Sequence, residues 1–583
     1  MLARVVLTLS PVLVYLRKFD RPWCASYAQR HFLNHQTMKK HIFLIGLVLV
    51  LSGCQEVIVY DSVLADALLY DGHGGTPYRA DIAIEADTIA GIGAPNTLKG
   101  RETIAVNGKA LAPGFINMLS WANVSLLEDG RSQSDIRQGV TLEVLGEGRS
   151  MGPLNPQMKA EMKQDQGDIT FAVPWTTLGD YLHHLEEKGV STNVASFVGN
   201  GTIRQYVIGY DNRKATPQEL EKMKTLVRQA MEEGAVGLSS SLLYAPSMYA
   251  DTEELIALAK VAGEEGGLYI SHIRNEGDAL LESLDELIDI SHKASVPAEV
   301  YHLKASQKKN WPKLDLAIAK IDSARTAGLN ITADMYTYNA SSTGLHVQLP
   351  DWAREGGIAA MLDRLGDVEN KKRAIRELEF RNAPETILLV GFKTDSLRKY
   401  SGKYLPELAQ DWNMTPSETL VNLLLKDQSR VQVVYFSMSE KNIKKKIVQP
   451  WMAFCSDAGS YTNEGVFARQ STHPRAYGSF IRVLGKFARD DGAITLQEGI
   501  RRLTSFPARN LKLKKRGSIA VGNYADLVVF DPDEVADKAT FTDPHQYAVG
   551  VEHVFVNGQH VLKDGEHTGA MAGRFIKGPG HKE

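Results

Sequence analysis

The stretch TPQELEKMKTLVRQAMEEGAVGLSSS, residues 216–241, sets a helix directly before a strand. Thr216 reads as a helix cap, Pro217 suits the first helical position, and Glu219 completes the start signal. Leu220, Met223, Val227 and Ala230 then recur at helical spacing. The apolar run at 235–241 follows as a buried strand. Working outward, similar runs stand at 111–119, 141–147, 193–199, 267–273, 298–304, 330–338 and 451–457. Eight strands separated by helical segments predict an α/β fold, a (β/α)8 barrel. The gap between 338 and 451 is too long for one helix, so residues 345–450 are expected to form an inserted subdomain or lid.

The flanks of this middle are β-rich. Ala80–Ile84 and Thr88–Gly93 read as a hairpin turning at Glu85-Ala86-Asp87. Residues 517–522, 525–531 and 554–558 are strand-like with Gly, Asn and Asp turns. One small β-sandwich domain assembled from both chain ends is the expectation. Of 583 residues, 66 are Lys or Arg and 69 are Asp or Glu, a net charge of −3, which argues against a nucleic-acid binder. Three cysteines (Cys24, Cys54 and Cys455) exclude a disulfide framework, and the lack of CxxC excludes a thiolate zinc site. Among 16 histidines, no two stand as His-x-His.

Residues 38–54 read MKKHIFLIGLVLVLSGC. A basic start, an apolar run shorter than the roughly 20 residues of a bilayer span, and small residues before Cys54 resemble a bacterial lipobox. That resemblance implies cleavage before Cys54 and lipidation of its thiol. Gln55 follows, rather than the Asp that retains lipoproteins at the inner membrane, so an outer-membrane anchor facing the periplasm is expected. Residues 1–37 form an N-terminal extension that does not fit this pattern, as if translation began at Met38.

In a barrel of this kind the side chains at the C-terminal strand ends face the active site. Glu147, His272, His302 and Asp457 end four of the expected strands, and Lys304 lies two residues past His302. A Glu, two His and an Asp so placed suit a one-metal site with a carboxylate base.

The blocks 112-APGFIN, 138-QGVTLEV, 234-GAVGLSSSLLYAP, 272-HIRNEGD, 302-HLKASQKKNW, 334-DMYTYNASST, 456-SDAG, 473-HPRAYGSF, 516-RGSIAVGNYADLVVFDP and 551-VEHVFVNG span nearly the whole mature chain. They resemble the N-acyl-D-amino-acid deacylase (D-aminoacylase) family of the amidohydrolase superfamily. The resemblance implies a barrel with a split β domain and hydrolysis of carbon–nitrogen amide bonds, most simply deacylation of N-acyl-D-amino acids. It implies that His272 and His302 ligate zinc, that Glu147 stands where the family has a bridging Cys, and that Asp457 is general acid and base. It further implies that Lys304, Tyr336, Ser342 and Arg475 bind substrate. The departure is in strand one. Where the family carries Asp-x-His-x-His, this chain has Asn117, Leu119 and Trp121. Leu and Trp cannot bind zinc, so the resemblance implies a divergent subgroup in which Glu147, His272 and His302 are expected to hold one Zn2+ ion per chain.

The expected organisation is an extension (1–37), a signal peptide (38–53), the first part of the β domain (56–110), the barrel (111–512) and the second part of the β domain (513–575). The expected partners are a small-molecule N-acyl amino acid and, through the lipid anchor alone, a membrane. Two other readings stay open: hydrolysis of another linear or cyclic amide such as a dipeptide, and a non-catalytic amidohydrolase-fold lipoprotein.

Overall fold

The computed structural model describes residues 58–582. The expected extension, signal peptide and Cys54 lie outside the described residues. Eight parallel strands form the barrel: β1 (Phe115–Asn117), β2 (Val140–Leu145), β3 (Asn193–Ser196), β4 (Gly237–Ser241), β5 (Leu268–His272), β6 (Ala298–Val300), β7 (Ile331–Met335) and β8 (Met452–Phe454). The wall between β3 and β4 is bridged by Val236 N donating to Ser196 O at 3.0 Å. The ring closes where Met118 N donates to Phe454 O at 3.2 Å and Asp457 N to Leu119 O at 3.0 Å. Every strand residue is buried, as a parallel sheet wrapped in helices requires.

The helix read at 216–219 spans Pro217–Glu233. Thr216 accepts from Glu219 N, the Glu219 side chain returns to Thr216 N, and Gly234 ends the helix at φ 116°. Met223, Val227 and Ala230 face inward, so the periodic residues do pack on the barrel.

The expected strand over 111–119 is in fact two. Ala110–Pro113 belongs to the small sheet, pairing with Leu527–Phe530, and β1 resumes at Phe115. Gly114 makes the break: a Cβ there would lie 2.1 Å from Thr141 Oγ1. The small domain joins five strands from residues 59–113 with four from 527–567 in one nine-stranded sheet. Ile82, Ile84, Ile104, Leu527, Val529 and Phe555 share its core, so both chain ends build a single β unit.

Between β7 and β8 the chain forms a separate antiparallel sheet, with Gln432–Tyr435 between Ser341–Gly344 and Ile387–Gly391. Four helices of eight to twelve residues, 357–366, 368–377, 405–412 and 416–427, accompany it. Leu345, Leu365, Leu389, Leu420 and Val433 belong to a core of its own. The insertion thus starts at Ser341, before the expected 345. That earlier start brings Ser342 and Gln432 to the barrel mouth.

Candidate metal centre

The C-terminal ends of β2, β5, β6 and β8 deliver four ionisable side chains to one buried point. Glu147 follows β2 between Gly146 (φ 98°) and Gly148 (φ 61°). A Cβ on Gly148 would come within 2.2 Å of Ser241 Cβ, so the tight turn that presents Glu147 needs glycine. His272 is the last residue of β5. His302 and Asp457 lie just past their strands and hold left-handed backbones, φ 37° and φ 49°. Such conformations persist only where the surroundings impose them, and they cluster at functional sites. His302 N is pinned to Asp334 Oδ1 at 2.7 Å, and Asp457 N to Leu119 O at 3.0 Å.

Glu147 Oε1 stands 2.8 Å from His272 Nδ1 and 3.0 Å from His302 Nε2. One ligand atom from each residue lies within 4.8 Å of the others. Among the described residues this is the one group of three such side chains with that convergence. Two imidazoles and a carboxylate are a zinc donor set, and three protein ligands leave a fourth position for water or substrate. His272 turns Nδ1 to Glu147, while its Nε2, buried without a hydrogen-bond partner, lies 3.7 Å from Glu276 Oε2. Burial pushes the Glu147 carboxyl up, but the bonds from His272 and His302 outweigh it and hold the group below the usual carboxylate range.

Glu276 completes this cluster and was not foreseen. It sits on the loop after β5, four residues past His272. Its Oε1 lies 3.1 Å from His302 Nδ1 and 2.5 Å from Lys304 Nζ. A carboxylate behind an imidazole fixes the ring and its tautomer, so that Nε2 faces inward. Its signal was present in 272-HIRNEGD as an acid at i+4 from a ligand. Lys304 also lines the cavity, but its ammonium is paired with Glu276 and lies 2.7 Å from His302 Nδ1.

Asp457 is gripped from two sides. Arg475 Nη1 approaches its Oδ2 at 2.6 Å, and the Trp121 indole N–H donates to Oδ1 at 3.2 Å. Burial raises its pKa, Arg475 and His302 pull it down, and the net shift is upward. Arg475 also packs over the Tyr336 ring at 4.6 Å, and its Nε has no partner. Ser342 reaches the same cavity, but its hydroxyl bonds Val433 O at 2.8 Å and its carbonyl accepts from Arg475. These groups line a cavity of about 870 Å³, within the range of small-molecule sites.

The strand-one positions hold no ligand. Asn117 is buried against Asp135 and Ser456, at 3.0 and 2.8 Å. Leu119 is fully buried, and Trp121 stands half-exposed in the cavity wall.

Residues 469–562 match the Amidohydrolase family, and residues 38–55 match the prokaryotic membrane lipoprotein lipid attachment site. An N-acyl-D-glutamate deacylase of Alcaligenes xylosoxydans xylosoxydans is 31% identical over 501 residues, 85% of this chain and 93% of the relative. The structure of N-acyl-D-glutamate deacylase from Bordetella bronchiseptica, with zinc and a phosphonate mimic of the tetrahedral intermediate, superposes with a TM-score of 0.75 at 28% identity. That match covers 89% of this chain and all of the other. A D-aminoacylase whose binuclear centre is described by one-metal activation and second-metal attenuation gives 0.74 at 30% identity, over the same shares of both chains.

Proposed function

Because the chain belongs to the D-aminoacylase (N-acyl-D-amino-acid deacylase) family of amidohydrolases, we propose that it deacylates N-acyl-D-amino acids through Glu147, His272, His302 and Asp457. It is a metal-dependent hydrolase of carbon–nitrogen amide bonds other than peptide bonds, and zinc is its metal. The observation that carries the assignment is the convergence of three ligand atoms within 4.8 Å beside the Asp457–Arg475 pair.

Glu147, His272 and His302 would hold the ion, which when bound supplies Lewis acidity to the amide carbonyl and to water. Asp457 takes the proton from the attacking water and later delivers it to the departing nitrogen. Trp121 and Arg475 orient its two oxygens for both transfers. Arg475 also presents its guanidinium to the substrate carboxylate, the ring of Tyr336 backs it, and Lys304 adds positive charge nearby. Ser342 positions Arg475 through its carbonyl. Glu276 keeps the His302 ring turned so that Nε2 faces the centre. Water adds across the C–N bond, so the products are a carboxylic acid and a free amino acid.

With Asn117, Leu119 and Trp121 at and just past the end of β1, this segment supplies no ligand for a second ion. Metal analysis of purified protein is therefore expected to give about one zinc per chain. A stoichiometry near two would refute the single site.

The lipid attachment segment makes this a lipid-anchored protein of the cell envelope. Gln55 after Cys54 supports placing the anchor in the outer membrane, with the enzyme facing the periplasm.

A further inference from the structure

A second chamber, of about 620 Å³, opens beside the catalytic cavity. The two share eight lining residues, among them Trp121, Arg149, Glu161, Asp165 and Tyr461, so they are neighbours across a common wall. Met151, Leu154, Met158, Met162, Phe171 and Phe467 supply the apolar share of a mixed wall in the second chamber. Met151, Leu154 and Met158 are nearly buried and form its base. Met162, Phe171 and Phe467 are partly open to solvent, with Phe171 stacked on Trp175 and Phe467 against Tyr461. Methionine walls adapt to a flexible apolar guest. Glu161, Asp165 and Asp168 also line the chamber, and such acids disfavour a second carboxylate there.

The position of this chamber says what would enter it. Arg475 and Tyr336 come from the β7–β8 side of the mouth, and Glu147 stands at the end of β2. The apolar chamber is built mainly from the loops after β1 and β2, residues 121–125 and 149–171. A substrate with its carboxylate on Arg475 and its amide at Glu147, His272 and His302 therefore continues past Trp121 with its acyl tail. Trp121 stands in one of the vacated strand-one positions and has its indole N–H on Asp457. The residue that replaces a metal ligand thus also forms the doorway between the two spaces.

We propose that this chamber binds a straight-chain fatty acyl group of the substrate, so that the enzyme prefers N-acyl-D-amino acids with long apolar acyl chains over N-acetyl ones. This proposal rests on the deacylase reading above. The reaction is unchanged in kind: water adds across the amide bond and releases a fatty acid and an amino acid.

The test is a series of acetyl, butanoyl, octanoyl and dodecanoyl amides of one D-amino acid, assayed with the zinc-loaded protein. The octanoyl amide is expected to exceed the acetyl amide in kcat/KM on the order of a hundredfold, below a ceiling of about fourfold per buried methylene. In Phe467→Asp, and independently in Met162→Asp, the octanoyl-to-acetyl ratio should fall at least about tenfold, because each puts a charge beside the chain. Acetyl amides turned over as well as octanoyl amides would overturn the chamber and leave the deacylase reading standing. If no N-acyl-D-amino acid is hydrolysed, the deacylase reading fails instead. Calorimetry with dodecanoate then decides the chamber: binding weakened in Phe467→Asp supports it, and no binding by the wild-type protein overturns it.

Discussion

His302→Ala is expected to lose zinc and to lower kcat/KM by roughly 10³-fold or more, equivalent to about 4 kcal/mol of transition-state stabilisation. The size of the loss follows from how many roles meet on one ring. Its Nε2 lies 3.0 Å from Glu147 Oε1 in the group of three proposed ligands, Glu147, His272 and His302, and two remaining ligands would not make a structural or catalytic zinc site. Its Nδ1 face stands against Glu276 and Lys304, and their pairing has no such anchor once the ring is gone. The fold should survive, because the backbone bond from residue 302 to Asp334 does not involve the side chain. Zinc content after gel filtration, together with an unchanged circular dichroism spectrum, checks both halves. Full zinc with normal turnover would remove His302 from the centre.

Asp457→Asn separates chemistry from metal binding. Asparagine keeps an oxygen for the Trp121 indole and nearly the same shape, but it cannot take up a proton. A loss of about 10²–10⁴-fold in kcat is expected, with zinc content retained and KM little changed. The pH dependence gives a second signature. Burial leaves the Asp457 pKa above the ordinary aspartate value despite the opposing pull of Arg475. The group works as a base only when ionised, so wild-type kcat/KM should fall as pH drops through that raised pKa. The residual activity of the Asn variant should lack this acid limb. A variant that hydrolyses normally would show that another group carries the proton.

The barrel was legible in the sequence because its strands are buried on both faces and read as short apolar runs at regular intervals. Thr216, Pro217 and Glu219 announced their helix through local capping chemistry, which needs no tertiary information. Glu147, His272, His302 and Asp457 were legible as polar residues ending apolar runs. Other features depend on contacts through space. The break at Gly114 is set by the approach of Thr141 from the next strand. Glu276 lies on a loop with no periodicity, and only the folded chain brings it to His302. The pairing of Lys304 with Glu276, and of the Ser342 hydroxyl with Val433, likewise follows from neighbours distant in sequence. The chamber joins the loops after β1 and β2 to Phe467, about 300 residues further along the chain, which a one-dimensional pattern does not reveal.

Residues 117, 119 and 121 are each engaged in contacts of their own. Asn117 is absorbed into the buried contacts beneath the mouth, Leu119 into the core, and Trp121 into the grip on Asp457. None is left as a remnant of a second metal site. These residues support the proposed single metal centre of Glu147, His272 and His302, with Asp457 beside it as the proposed acid–base group.

Release of free amino acid from matched N-acyl-D- and N-acyl-L-amino acids by the zinc-loaded protein decides whether the site is a deacylase. Hydrolysis of the D-substrate is expected, abolished by chelation and restored by zinc, with the L-substrate turned over far more slowly. No release from any N-acyl-D-amino acid by protein carrying its zinc would contradict the deacylase reading.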